Sequence, residues 1–194
     1  MARLAAIARA DIRAAVRADG GVDTVFAAGP DAAAWRWRLA MTRADPGAPC
    51  AGPTDAGRLL VPLDADLLLG EAPRERRVPR LGVARLAAGD PARVAPHADP
   101  TRVFSLALRD GARGELLARP LLGSMLLFAG PGERWFVYPV AGRATLRSAN
   151  AVLALEVNAP AWAAFTRDAG ERAMLEGNGE IVLARLAADA PVER

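Results

Sequence analysis

The chain has 194 residues, of which 52% are hydrophobic and 24% are charged, so it suits one compact domain or two small fused halves around a buried core. It contains no lysine, and its 25 arginines are scattered among 22 acidic residues for a net charge of only +3, which disfavours a nucleic-acid partner. A single cysteine, Cys50, excludes an internal disulfide, and the absence of a long apolar run or a secretory leader predicts a cytoplasmic protein without membrane contact.

The N-terminal segment, residues 2–17, is the first element to interpret. Leu4, Ala8 and Ile12 recur at helical spacing, which favours a short helix. Alanine raises helix propensity throughout an alanine-rich chain, so helix and non-helix remain equally open here.

The next element is the segment "AAAWRWRLAMT", residues 32–42, in which large and charged side chains alternate. In a strand, successive side chains point to opposite faces. One predicted face consists of Trp35, Trp37, Leu39 and Met41, and the other consists of Arg36, Arg38, Ala40 and Thr42. We predict that the tryptophan face packs between layers and that Arg38 faces a cavity of the front barrel, near Arg58.

The rest of the chain consists mainly of short apolar runs at intervals of roughly 10 residues, with Gly, Pro and Asp between them, and this spacing predicts an all-β sandwich or barrel. Two later segments invite other interpretations. Residues 159–173 predict one short helix after Pro160. Asn178 and Gly179 predict the turn of a hairpin, because both residue types accept positive φ angles.

No low-complexity linker divides the chain. The best candidate connections are residues 71–80, rich in Pro and Arg, and the segment "GDPARVAPHADPT", residues 89–101. They predict a front half of about residues 1–95 and a back half of about residues 96–194, both rich in β-strand.

The chain has too few metal-binding and nucleophilic side chains for several kinds of site. It has one histidine, His97, and one cysteine, whereas a zinc site or a two-histidine iron site needs more such ligands. A Ser-His-Asp triad would depend on His97, which lies between prolines, and no serine stands in a G-x-S-x-G turn. We therefore expect no metal, no cofactor and a solvent-facing His97.

Several segments together resemble the HutD/Ves family of bicupin proteins. That family typically shows P-W-[KR]-N-G-G-G-x-T, then W-R-[IL]-S-x-A, then G-P-F-S-x-F-P-G-x-D-R, and later D-F-N-x-M-x-R-R. The residues of this chain in step with these motifs are Asp19, Gly20, Gly21 and Thr24, then Trp37, Arg38, Leu39 and Met41, then Pro53 and Arg58, and finally Phe104, Ser105 and Arg109. Arg17, Ala18 and Asp19 stand where the family has Trp, Lys or Arg, and Asn, and Ser105 replaces a later asparagine.

The resemblance implies an all-β bicupin, with two fused cupin-like (jelly-roll) barrels, few short helices and no metal centre. It also implies a small-molecule-binding protein with a regulatory or accessory metabolic role. Some family members are linked with histidine utilisation and are thought to bind a small acidic metabolite.

The first functional hypothesis is a carboxylate-binding protein. A guanidinium binds a carboxylate through a bidentate fork, so Arg38, Arg58 and Arg109 are candidate ligand-binding residues, with Trp37 as a wall of the pocket. The alternative for these arginines is pairing with Asp or Glu or an outward orientation, and this alternative is favoured for Arg109. The resemblance adds Asp19, Thr24 and Ser105 to the predicted ligand site.

Two further hypotheses remain open. A metal-independent isomerase or lyase would need an acid or base facing the arginines inside a pocket, and Asp19, Asp23 and Asp55 are the nearest candidates. A structural or interaction protein that forms a homodimer would instead have both barrels filled by large side chains.

Overall fold

The computed structural model describes residues 2–17, 19–46, 52–70, 73–90, 94–128, 130, 132–165 and 172–187. The chain forms two compact units, which we name the front unit (residues 9–112) and the back unit (residues 1–8 and 113–194). The division follows Ala112 and does not fall near residue 95, because the strand Thr101–Leu108 pairs with strands of the front unit. The first residues belong to the back unit, since Arg3–Ala6 pairs with Ala161–Ala164.

The front unit is built from two antiparallel sheets and one short 3₁₀ turn at Arg9–Asp11. Its strands are β2 (Arg13–Val16), β3 (Val22–Gly29), β4 (Trp37–Ala44), β5 (Gly57–Pro62), β6 (Leu67–Leu69), β7 (Arg76–Val78), β8 (Ala84–Leu86), β9 (Val94–Pro96) and β10 (Thr101–Leu108). The larger sheet has the order β2-β3-β4-β10-β5-β8, and the smaller has the order β7-β6-β9.

The back unit contains one six-stranded antiparallel sheet. Its strands are β1 (Arg3–Ala6), β11 (Gly114–Phe128), β12 (Arg134–Arg147), β13 (Val152–Leu155), β14 (Ala161–Ala164) and β15 (Arg172–Leu186). The order is β1-β14-β12-β15-β11, with β13 paired to β12. Within the described part of the chain, no helix has the length and apolar character required to cross a membrane.

Each unit has its own hydrophobic core. In the front unit, Leu60 and Val103 of the larger sheet form one buried cluster with Leu67 and Val94 of the smaller sheet, so the two sheets pack face to face. In the back unit, one buried cluster includes large side chains from β11, β12 and β15. Burial of each large aliphatic side chain stabilises the fold by about 1.5–3 kcal/mol.

The helices suggested by the sequence are absent from the described residues. Residues 2–17 form β1, the 3₁₀ turn and β2, because strand pairing with β14 and β3 outweighs the helix propensity of alanine. Residues 161–164, within the second suggested helix, form β14, and residues 166–171 of that segment lie outside the described residues. The all-β prediction is therefore confirmed.

The hairpin predicted at Asn178 and Gly179 is wrong, since β15 runs unbroken from Arg172 to Leu186. Gly177 and Gly179 allow β15 to lie close to the neighbouring strand and do not form a turn. A Cβ at Gly177 would lie 2.0 Å from the carbonyl oxygen of Arg143, and one at Gly179 would lie 2.0 Å from that of Ala141. Glycine is required where one backbone approaches another this closely.

The partly buried ion pair between Glu133 and Arg185 in the back unit allows us to test how the stability of the protein depends on pH. Glu133 Oε2 accepts hydrogen bonds from the backbone N–H of Gly130 at 2.7 Å and from Arg185 Nη2 at 2.7 Å. Burial alone would raise the pKa of Glu133, but these hydrogen bonds outweigh it and hold the pKa below its ordinary value of 4.5. A carboxylate with a depressed folded pKa stabilises the fold above the unfolded pKa.

We therefore expect Glu133→Gln to lower the free energy of unfolding by about 1 kcal/mol at pH 7. The difference from the wild type should shrink as the pH falls below 4.5, because protonation then removes the same charge from the wild type. Urea unfolding of both proteins between pH 7 and acidic pH measures this difference in the free energy of unfolding. Glu115→Gln is the matched control, since Glu115 is 61% exposed and 4.0 Å from Arg185; an equal effect there would contradict the assignment.

Candidate functional site

One face of the larger front sheet carries the polar side chains that line a cavity. On β4, Arg38 and Thr42 share this face with Ala40, as strand alternation requires. The register sets Ala107 of β10 opposite Arg38 of β4 on one side and opposite Arg58 of β5 on the other. The two arginines therefore flank the same small residue, two strand spacings or about 10 Å apart along the sheet.

The cavity lies between the two sheets of the front unit. Its walls include Leu60 and Val103 from the larger sheet and Val94 from the smaller sheet. Its polar side chains, among the described residues, are Asp23, Arg38, Thr42, Arg58 and Ser105. The volume is about 20 Å³, where a single water molecule needs about 10–15 Å³, so only the head group of a small molecule fits inside.

Arg38 is held in place but uses few of its donors. Its Nη2 donates to Asp23 Oδ2, and its guanidinium lies 5.6 Å from the centre of the Trp35 ring. The side chain is 18% exposed. A guanidinium carries five N–H donors, and within the described part of the chain Asp23 is the only hydrogen-bond acceptor that Arg38 contacts. Most of its donors are thus available to an anion or to water.

Asp23 is the internal counter-ion of this site. It is 3% exposed, and its Oδ1 accepts hydrogen bonds from Arg17 Nη1 at 3.0 Å and from the hydroxyl of Thr42. Burial lowers the pKa of Arg17, but hydrogen bonds to Asp19 and Asp23 outweigh this, so the pKa of Arg17 is raised from its ordinary value. Asp23 therefore joins the guanidiniums of Arg17 and Arg38.

Arg58 supplies the second guanidinium of the cavity and is only 8% exposed. The backbone of Gly52 packs directly against it, because a Cβ on Gly52 would lie 2.2 Å from Arg58 Nη1. Among the described residues, the charged groups that line the cavity are two guanidiniums and one carboxylate. Such a cavity favours an anion over a neutral or cationic ligand.

The other predicted site residues have different positions. Ser105 lines the cavity, and its hydroxyl donates to the carbonyl of Ala40 at 3.2 Å. Thr24 pairs with Met41 and so lies on the opposite face of the sheet. Asp19 binds Arg17 at 3.0 Å and accepts from the N–H of Gly21, so it supports Arg17 without lining the cavity.

The assignment of Trp37 as a pocket wall is wrong, and so is the placement of Trp35 on the Trp37 face. Trp37 is 4% exposed, and its ring packs on the backbone of Gly29, on the face of β4 opposite Arg38. Trp35 precedes β4 and forms a buried cluster with Ala56 and Ala107, since the alternation of the strand does not extend to it. Trp35 therefore flanks Arg38, in the place expected for Trp37.

Arg109 does not line the cavity. Its guanidinium stacks on Trp35 at 4.1 Å from the ring centre, and its Nη1 pairs with Asp55 Oδ2 at 2.9 Å. Asp55 is 63% exposed. Arg109 thus pairs with an acidic residue, which is the alternative that the sequence favours for it.

Sequence reasoning missed Thr42, Gly52 and Arg17 as parts of the site. Thr42 follows Arg38 by four residues on the same strand face, so alternation alone was a usable signal. Gly52 and Arg17 lie in loops, where no periodicity indicates which way a side chain points.

His97 is exposed, as expected, and Cys50 lies outside the described residues. Among the described residues, no group of three His, Cys, Asp or Glu side chains is placed to hold a metal ion.

Comparisons with known proteins agree on the fold. A family model described as HutD matches residues 17–183. A search of curated proteins found no match. The solved structure of PA5104, a conserved protein of unknown function from Pseudomonas aeruginosa PAO1, is similar over 96% of this chain and 100% of its own, with a TM-score of 0.78 and 12% identity.

Two other solved structures extend this picture. HutD from Pseudomonas fluorescens SBW25, in a formate condition, has a TM-score of 0.73 and 15% identity over 97% of this chain and 100% of its own. YhhW from Escherichia coli has a TM-score of 0.65 and 10% identity over 96% of this chain and 99% of its own. At such identities the likeness shows the fold alone, which is cupin-like and all-β. That the two units are two fused cupin barrels stays a prediction.

Proposed function

The chain belongs to the HutD family, and from that premise we propose that its front unit binds a small carboxylic acid in the cavity between Arg38 and Arg58. The protein then acts as a metal-free binding protein with a regulatory or accessory role in metabolism. The ligand carboxylate accepts hydrogen bonds from the donors of Arg38 that Asp23 does not use. Arg58 contributes further positive potential.

The environment of the Arg38 side chain is the observation that supports this proposal most. It is mostly buried, it lies against Trp35, and it lines the same cavity as the guanidinium of Arg58. Ordering a long side chain and removing it from water is costly unless its donors are used. A carboxylate fits the planar fork of a guanidinium better than a spherical anion does.

Binding is favoured over acid–base catalysis by the number of titratable groups. Asp23 meets the requirement for a carboxylate that faces an arginine inside a pocket. Asp23 is the only carboxylate among the described residues that line the cavity. Its oxygens already accept hydrogen bonds from Arg17, Arg38 and Thr42.

Calorimetric titration with sodium propionate tests the proposal. We expect saturable binding of one propionate per chain, with a Kd on the order of 0.1–1 mM for so small a ligand. Sodium chloride at the same ionic strength controls for non-specific screening of the arginines. Heats for propionate no larger than those for chloride would overturn the proposal.

Replacing Gly52 with alanine should weaken propionate binding about 10-fold while the protein remains folded. The new methyl group would overlap Arg58 Nη1, so the guanidinium must leave its position and one charge–charge contact is weakened, a loss of about 1.4 kcal/mol. Gly57→Ala is the matched control, because its Cβ would meet the nearest atom at an ordinary 3.7 Å. Equal affinity in both variants would show that Arg58 takes no part in binding.

A further inference from the structure

The carboxylate of Asp23 has one oxygen with hydrogen-bonding capacity to spare. Oδ1 accepts from both Arg17 and Thr42, and a carboxylate oxygen accepts about two hydrogen bonds. Oδ2 accepts from Arg38 alone among the described residues. Because Asp23 lines the cavity and is 3% exposed, a molecule in the cavity is the natural partner for the remaining lone pair.

The position of Asp23 also affects which anions bind well. Arg38 is shared between Asp23 and any ligand carboxylate, so the two negative groups lie side by side on one guanidinium. A plain carboxylate is attracted by Arg38 and Arg58 but repelled by Asp23. A ligand that also donates a hydrogen bond to Asp23 Oδ2 turns the unfavourable neighbour into a favourable one.

We propose that Asp23 makes the cavity selective for 2-hydroxy carboxylic acids. In such an acid the hydroxyl is on the carbon next to the carboxylate, so it can donate to Asp23 Oδ2 while the carboxylate accepts from Arg38. The bond between Arg38 and Asp23 holds these two ligand contacts next to each other. This inference rests on the proposed carboxylate site and names its ligand class.

The selectivity is tested first without any mutation, by titrating the wild-type protein with propionate, lactate and 3-hydroxypropionate. The three acids have the same number of carbons and the same charge. We expect lactate to bind at least 10-fold more tightly than propionate, as one hydrogen bond to a charged group provides. The 3-hydroxypropionate should bind like propionate, because its hydroxyl is one carbon too far away.

The variant Asp23→Asn identifies the residue responsible. Loss of the negative charge should make propionate bind more tightly than it binds to the wild type, and the lactate preference should fall to about 3-fold or less. Equal binding of lactate and propionate to the wild type would overturn the selectivity and leave the carboxylate site standing. An unchanged lactate preference in Asp23→Asn would also overturn it. Binding of neither acid would overturn the site and the selectivity together.

Discussion

Replacing Arg38 with alanine should weaken the binding of lactate at least 100-fold in a protein that remains folded. Two charge-assisted hydrogen bonds to a carboxylate contribute about 3 kcal/mol together, and each 1.4 kcal/mol is a factor of ten. The fold should remain, because Asp23 retains Arg17 and Thr42 as partners. Calorimetry measures the affinity, and circular dichroism during thermal unfolding measures the stability.

Two other variants separate the fork of Arg38 from its charge. Arg43→Ala removes a positive charge from the same strand, but Arg43 is 73% exposed and pairs with Asp45, so lactate binding should change less than twofold. Arg38→Lys keeps the charge and loses the planar fork, so its affinity should lie between those of Arg38→Ala and the wild type. Unchanged lactate binding in Arg38→Ala would exclude Arg38 from the site.

Replacing Trp37 with alanine should lower the free energy of unfolding by about 3 kcal/mol or more. The ring is 4% exposed and packs against Gly29, where even a methyl group would come within 2.3 Å of it. Removal of so large a side chain from a close-packed region leaves a cavity that its neighbours fill only partly. Urea unfolding measures the loss, and thermal unfolding should show a midpoint lower by roughly 6–12 °C.

The Trp37→Ala variant also distinguishes an effect on stability from an effect on ligand binding. Its ring lies on the face of β4 away from the cavity, so Trp37→Ala protein that is kept cold and folded should bind lactate within about threefold of the wild type. Trp37→Phe fills part of the space and should lose less stability. If Trp37→Ala lost lactate binding as completely as Arg38→Ala does, Trp37 would be a wall of the pocket after all.

The alternation of side chains in a strand explains why the core of the site was predictable. In residues 37–42 the large apolar side chains Trp37, Leu39 and Met41 alternate with other residue types. Arg38 had to lie on the face opposite Trp37 once the segment was a strand. The family resemblance supplied Arg58 and Ser105, which lie on the neighbouring strands β5 and β10, with Arg58 opposite Ala107 and Ser105 opposite Leu60. Periodicity cannot fix a residue outside the strand, and Trp35, two residues before β4, was placed on the wrong face for this reason.

Contacts between distant segments account for most of what the sequence could not predict. Asp23 and Arg38 come together only because β3 pairs with β4, and the register of that pair shifts between Val25 and Ala27. The local sequence around the glycines of β15 is typical of a turn. In the fold these glycines pair with β12, whose carbonyl groups approach them too closely for any other residue type. Local propensity holds no information about either partner.

The central claim is that Arg38 binds the ligand carboxylate, and the Nε–H NMR signals of the arginines during a lactate titration test it most directly. The Arg38 signal, identified by its absence from Arg38→Ala, should shift and saturate with the same Kd that calorimetry gives, while the signal of Arg43 stays in place. An Arg38 signal that does not move while calorimetry shows saturable lactate binding would contradict the claim.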